Sequence, residues 1–166
     1  EQEYDFSKPF FSQFYSLQNK VPKANLYQTN FISSEYCNFG LDFKECYLLF
    51  GGHDNERVYF GNQVLSSRDS MDIAFSEKIE FSYEIFESQR LNKVFFSHHS
   101  TDCVDSYYLI YCRNCMNCFG CVDLVNKQYY IFNQPYSKEE YFKFIKRNNL
   151  GSFKSHQQFV KKLQEL

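Results

Sequence analysis

Residues 33–68 read SSEYCNFGLDFKECYLLFGGHDNERVYFGNQVLSSR, and the next two stretches, 69–104 and 105–140, align with them without a gap. The step of 36 carries Phe39 to Phe75 to Tyr111, Phe50 to Phe86, and Phe60 to Phe96 to Phe132. Other columns agree. Ser34, Ser70 and Ser106 share one, and Tyr47, Tyr83 and Phe119 share another, directly after Cys46, Ser82 and Cys118. Self-similarity at a fixed period of this size marks a stacked array whose single unit cannot bury its own apolar face.

Within a copy, short aromatic or apolar runs such as Val94–Phe96, Tyr107–Tyr111 and Tyr129–Phe132 lie between Gly, Ser, Asn and Asp. Runs of this kind read as strands bounded by corners. Stacked coil on coil, they predict a mainly β fold, a parallel β-solenoid of three 36-residue repeats, with a right-handed coil as the prior for parallel crossovers. The aromatics are expected to pile up in ladders through a shared interior, Phe and Tyr doing most of the space filling in a chain without Trp. Spacing leaves open whether a repeat is one three-sided turn or two turns of about 18 residues. An antiparallel meander or sandwich is the competitor, disfavoured because the chain has no Asn-Gly or Asp-Gly hairpin signal.

A solenoid needs its ends capped. Residues 1–32 read as a helical cap and linker, with Ser7 as N-cap, Pro9 in the first turn and apolar Phe10, Phe11, Phe14, Tyr15 and Leu17 running to about Lys20. The repeats occupy 33–136. A second helical cap covers 137–166: Ser137 and Glu140 form a capping box, Gly151 closes that helix, and a last helix from about Ser152 places Phe159, Leu163 and Val160 on one side.

The 166 residues carry a net charge of −2, which offers no general steering toward polyanions, although Lys143, Lys146, Arg147, Lys154, Lys161 and Lys162 make the C-terminal cap locally basic. No membrane-length apolar stretch or signal peptide is visible, and a cytoplasmic location is expected. The chain begins at Glu1 rather than Met, so it reads as a processed product or a fragment of something longer.

Cys112, Cys115, Cys118 and Cys121 follow each other at steps of three, and four thiolates are what tetrahedral zinc or an iron–sulfur cluster requires. Aligned by repeat, two replace small residues (Gly40 and Ser76; Cys46 and Ser82) and two replace apolar ones (Phe43 and Ile79; Leu49 and Ile85). That is the pattern of free Cys acting as core. Steps of three along a strand would also aim neighbours at opposite faces unless a corner intervenes. The reading is therefore that no metal is held and no cofactor is needed. Seven Cys is an odd number, which suits a reducing compartment.

His98 and His99 beside Ser100, Thr101, Asp102 and Cys103 could combine nucleophile and base, but their repeat columns hold Asn62, Gln63, Gln134 and Pro135, so polar corners are expected. Asp102 with Asp105, or Glu84 with Glu87, are the candidate acid pairs for sugar chemistry. No catalytic residue is assigned, and the enzyme reading is disfavoured because the repeat is not broken by unlike groups.

The opening Tyr4-Asp-Phe-Ser-Lys-Pro-Phe-Phe-Ser-Gln-Phe14, the Cys-rich stretch 112–121 and Asn126-Lys-Gln-Tyr-Tyr-Ile-Phe-Asn-Gln-Pro-Tyr-Ser-Lys-Glu-Glu-Tyr141 resemble the later part of long cysteine-rich, zinc-ribbon-containing repeat proteins of candidate-phylum bacteria. The chain lacks the upstream ribbons and has fewer Cys in its middle copy. The resemblance implies a cytoplasmic, excerpted domain and no particular reaction. The function expected is a non-enzymatic interaction or scaffold module with a protein partner. A carbohydrate-binding or carbohydrate-cleaving β-helix is the alternative, and nucleic-acid binding through the basic last helices ranks third.

Overall fold

The computed structural model of the chain describes residues 3–87 and 89–166. A helix α1 (Phe10–Lys20) precedes ten strands: β1 (Gln28–Thr29), β2 (Asn38–Lys44), β3 (Tyr47–Leu65), β4 (Arg68–Ala74), β5 (Tyr83–Phe86), β6 (Asn92–His98), β7 (Val104–Ile110), β8 (Phe119–Val122), β9 (Tyr130–Ile131) and β10 (Gln134–Pro135). Two helices follow, α2 (Lys138–Arg147) and α3 (Phe153–Gln164). Strands pair in chain order from β1 to β10, parallel throughout except for the final β9–β10 hairpin. This is a β-solenoid with terminal helices.

The register fixes the coil length. Asn38 pairs with Phe50, Val58 with Ser70, Val94 with Ser106 and Leu109 with Cys121, always twelve residues on. Each 36-residue repeat is therefore three coils, not one three-sided turn or two turns of 18. Phe39, Phe75 and Tyr111 do share one corner ladder, three coils apart, although their ring neighbours differ: Tyr27, Phe86 and His99.

Every third residue along the coils, from Asn30 through Phe132, has a left-handed backbone, glycine taking the place at Gly51 and Gly120. Twelve residues with a corner every three make four short sides. Each side has an inward residue, an outward residue and the corner. Asp is the most frequent corner occupant, followed by Phe and then by Asn and Tyr, and among the described residues no Val, Ile or Thr has a positive φ. That is the steric rule for this region, which short polar side chains enter most easily and β-branched ones avoid. Gly120 is a corner where the ring of Phe132 lies over the backbone, leaving no room for a Cβ.

The inward positions form the core. Cys46, Val58, Ser70, Ser82, Val94, Ser106 and Cys118, each twelve residues from the last, are all buried in one stack. Leu49, Ile73, Ile85, Leu109 and Cys121 belong to the next stack, and Phe43, Asn55, Ser67, Ile79, Leu91, Cys103 and Cys115 to another. The expected interior of aromatic ladders is thus corrected. Four sides of three residues enclose a narrow space that Cys, Ser, Val, Ile and Leu mostly fill, with Phe31 stacked on Phe43 at 4.6 Å in the first coils. Phe39, Phe75 and Tyr111 are exposed corner residues instead, 69%, 47% and 56% accessible.

Hydrogen bonding explains why so many inward residues are Ser or Cys. Outward residues donate to the next coil, as in Glu35 N to Cys46 O, and corner residues donate to the previous one, as in Leu48 N to Glu35 O. The amide of an inward residue takes a side-chain acceptor where the coil before offers one, although Gly40 N reaches Tyr27 O. A serine one coil earlier supplies that acceptor: Cys46 N donates to Ser34 Oγ, Ile79 N to Ser67 Oγ, Cys112 N to Ser100 Oγ and Cys118 N to Ser106 Oγ. The same hydroxyls donate to the carbonyl two residues back, as Ser106 Oγ does to Val104 O. Buried Asn55 accepts from Ser67 N and donates to Val64 O.

The last coil is closed by Asn133, whose amide accepts from Val122 N and donates to Val122 O as another strand would. Ser137 and Glu140 form the expected capping box of α2. That helix ends at Asn148, whose side chain donates to Phe144 O, rather than at Gly151. At the other end α1 starts from Pro9, and the Ser7 hydroxyl donates to Asp5 instead of accepting a helix amide. None of the eleven residues of α1 is buried.

Candidate functional site

Two features depart from a plain solenoid: an aromatic outer face and a coil lined with thiols. The outer face is the side that carries Tyr47, Tyr59, Met71, Tyr83, Phe95, Tyr107, Phe119 and Ile131, one per coil. Beside it runs the corner ladder Leu48, Phe60, Asp72, Glu84, Phe96, Tyr108, Gly120 and Phe132. Neighbouring rings interlock along the ladders. Tyr47 meets Phe60 edge-on at 5.8 Å, Tyr83 meets Phe96 edge-on at 5.5 Å, and Phe96 stacks on Tyr108 at 4.7 Å.

The C-terminal helices lie against the later coils of this face. Phe159 of α3 packs on Tyr108 and Phe119, and Phe144 of α2 packs on Phe119 and Phe132. A second core results, separate from the coil interior, with Tyr108, Phe119, Ile131, Phe132, Tyr141, Phe159 and Leu163 buried in it. His156 sits over Phe96 and within 3.2 Å of the Tyr108 hydroxyl, and Lys162 Nζ lies 4.0 Å from the Phe132 ring centre. Burial pushes the Tyr108 phenol up to about 12. The helices thus cover one side of the last coils as well as following the chain end.

Toward the N-terminus the same face is bare. Tyr59, Phe60, Met71 and Phe81 are exposed. Three hollows mark it. One of about 640 Å³ lies where the α2–α3 connection meets the coils, between Tyr83, Phe95, Phe96, Tyr107, Phe153 and His156. A second, about 550 Å³, is lined by Tyr59, Met71, Phe81, Tyr83 and Phe95. The third, about 580 Å³, holds Phe60, Asn62, Asp72, Glu84, Phe86 and His98.

In this last hollow the aromatic corner ladder is interrupted by two acids on adjacent coils, Asp72 and Glu84, flanked by Phe60 and Phe96. Burial raises the Asp72 carboxyl above its ordinary value, and the neighbouring Glu84 adds to the shift. The Tyr83 phenol is raised by burial and by its hydrogen bond to Glu84.

This pairing differs from both sequence candidates. Glu84 and Glu87 stand on successive corners of one coil, and Glu87 instead binds His99 Nδ1 at 2.7 Å. Asp102 and Asp105 also occupy successive corners, with Asp102 3.7 Å from Arg90 one coil below. Nor do His98 and His99 meet Ser100. The Ser100 hydroxyl is buried and donates to His98 O, whereas His99 stacks on Tyr111 outside, at 5.0 Å. The signal for Asp72 and Glu84 was in the sequence, as two acids twelve apart between Phe60 and Phe96, but only the coil length reveals it.

Cys112, Cys115, Cys118 and Cys121 are the four inward residues of one coil, with Cys103 one coil below Cys115. A corner falls between each successive pair, so all four point inward rather than to alternate faces. All seven cysteines are free and buried. Their thiols donate to carbonyls, as Cys112 Sγ does to Cys121 O at 3.3 Å and Cys115 Sγ to Leu124 O at 3.4 Å. Cys115 is drawn toward the thiolate by hydrogen bonds from Cys103, Cys112 and Cys118, while sharing with Cys115, together with burial, pushes those three up. Among the described residues no set of three or more His, Cys, Asp or Glu side chains is arranged to hold a metal ion. In an earlier coil Cys37 Sγ also accepts, from Leu49 N at 3.4 Å.

No protein-family model and no curated protein matches this chain. Among the described residues no helix is long and apolar enough to cross a membrane.

Proposed function

We propose that the chain is a non-enzymatic interaction or scaffold module that takes a protein partner on its aromatic face. One observation carries this reading: the ladders that receive Phe144 and bury Phe159 on the last coils continue, with the same chemistry, across coils that no described residue covers. Surfaces of contiguous exposed aromatics are what protein interfaces use, because rings supply large area at small entropic cost. The opposite side carries Glu77, Gln89, Thr101 and Arg113 and has no comparable ladder.

Affinity capture with the wild-type chain, with Tyr59→Ala/Tyr83→Ala, and with Arg113→Ala on the opposite side tests this. Specific protein partners lost only in the aromatic double variant, with unchanged circular dichroism, are the expected result. Partners retained by the double variant would remove the reading.

A second reading has its own observation. Asp72 and Glu84 on adjacent coils, between Phe60 and Phe86 in an open hollow, resemble the paired acids and ring platforms that bind or cleave polysaccharide. Binding on a glycan array that Asp72→Asn and Glu84→Gln abolish would favour it over a protein partner.

A further inference from the structure

The bare coils and the first helix present complementary problems. Helix α1 is amphipathic and almost uncharged, with Lys20 its one ionic residue. Phe10 and Phe14 stack at 5.7 Å, and Phe11 and Tyr15 are 80% and 69% accessible. In a globular chain a helix this rich in aromatics packs against something. Within one chain its cover is slight: Gln13 binds the backbone of Asp5, and Tyr4 lies beside Phe10, Phe14 and Leu17, yet among the described residues no residue of α1 is buried, and the segment 21–27 that joins it to the first coil is exposed throughout. The aromatic ladders from Tyr47 to Tyr83 are the matching surface, again without cover in the single chain.

We infer that the occupant of the bare aromatic face is α1 of a second copy of this chain, each copy lending its helix to the other. The inference rests on the proposed interaction role of that face and names its partner.

Three observations support it. First, the site is continuous with an interface already in use. The same two ladders receive aromatic side chains from α2 and α3, so a third helix laid beside Phe153 extends an existing packing mode. Second, the hollows between Tyr59, Met71, Phe81 and Tyr83, and around Phe60, are roomy enough to take more than one aromatic side chain each. Third, the area suffices. Phe10, Phe11, Phe14 and Tyr15 are 54%, 80%, 46% and 69% exposed, so two helices offer about 1,000 Å², and the surface that receives them about as much again, which reaches the size of a standard stable interface. The exchange is reciprocal, so it closes as a two-fold dimer rather than growing into a fibre. Residues 21–27 reach up to about 23 Å when extended, enough to carry the helix off its own coils.

The experiment is light-scattering mass measurement on the full chain at ~100 μM, for wild type, Phe11→Ser/Tyr15→Ser, and Tyr59→Lys/Met71→Lys. Wild type is expected at twice the 20.0 kDa of one chain, and both double variants at the mass of one. Because α1 buries nothing in its own chain, the helix variant leaves the solenoid intact, which circular dichroism verifies. A photo-crosslinking residue at position 11, in a mixture of isotopically light and heavy chains, is expected to join light to heavy at residues 47–83. A monomeric wild type, a dimer that survives the helix variant, or crosslinks confined to one chain would each overturn the inference. The interaction role itself is judged separately, by partner capture with the monomeric helix variant, whose face is unaltered.

Discussion

The Ser100 hydroxyl accepts the amide proton of Cys112, one coil later, at 3.2 Å, and donates its own proton to His98 O at 3.1 Å. The two bonds connect three levels of description. Ser100 is inward because a corner precedes it at His99, its amide acceptor role exists because the coil is twelve residues long, and the donor it satisfies is one the parallel ladder leaves unpaired.

Ser100→Ala should therefore cost more than the loss of a surface serine. The Cys112 amide remains buried with no acceptor, a penalty of about 1–3 kcal/mol. Chemical denaturation measures it. Ser100→Cys is expected to lose less, since Cys37 shows sulfur taking the same amide from Leu49.

Corner positions predict an opposite ordering of substitutions from that usual in strands. Lys78 is an exposed corner at φ 54°, with one loose ion pair to Glu77 at 4.0 Å. Lys78→Gly should stabilise the chain or leave it unchanged, whereas Lys78→Val should destabilise it by roughly 1–2 kcal/mol, although Val is the better strand former. Thermal denaturation of the two variants distinguishes these outcomes.

Much of this was legible in the sequence, and the parts that were not have definite causes. The period of 36 is visible because the corner ladder of Phe39 becomes aromatic again only at Phe75 and Tyr111, with Gly51, Gln63, Glu87 and His99 between. The shorter period of twelve is carried by small inward residues, whose identities interchange freely as long as they fit. The cysteine steps of three were in plain view, yet a strand alternates faces every two residues, so they read as pointing apart. A left-handed residue at every third position resets that alternation, and short polar residues at steps of three, such as Asp69 and Asp72, Asp102 and Asp105, and Asn114 and Asn117, hinted at it. The capping box at Ser137, by contrast, is a local signal and was readable directly. So was the burial of Phe159 and Leu163.

Asp72 gives a pH dependence of definite sign. Its carboxyl lies above the ordinary value in the folded chain, through burial and then through Glu84. The folded state thus holds that proton more tightly than the unfolded chain does. This contribution is fully present below the ordinary Asp value near 3.9 and is lost as pH rises through the raised folded value. Asp72→Asn is expected to raise the melting temperature relative to wild type at pH 7 and to leave little difference at pH 3. The wild-type-minus-variant difference matters here, because Glu56, Asp69 and Glu140 are lowered and titrate in the opposite sense.

The thiols should be silent in the native chain. All seven are free and buried; burial raises those of Cys37 and Cys46, while Cys115 and Cys121, drawn toward the thiolate by hydrogen bonds from neighbouring thiols, are shut away from the reagent. A chromogenic disulfide reagent is expected to find no fast-reacting thiol in the folded protein and seven in denaturant. Stoichiometric zinc or iron in reductively purified protein would instead show that the coil of Cys112 to Cys121 binds metal.

The twelve-residue coil is the foundation of every assignment above, and isotope-edited nuclear Overhauser spectroscopy tests it most directly. Cross-strand backbone contacts should link Val58 to Ser70, Tyr83 to Phe95 and Val94 to Ser106, each at a separation of twelve. Contacts at separations of 18 or 36 in place of these would contradict the account.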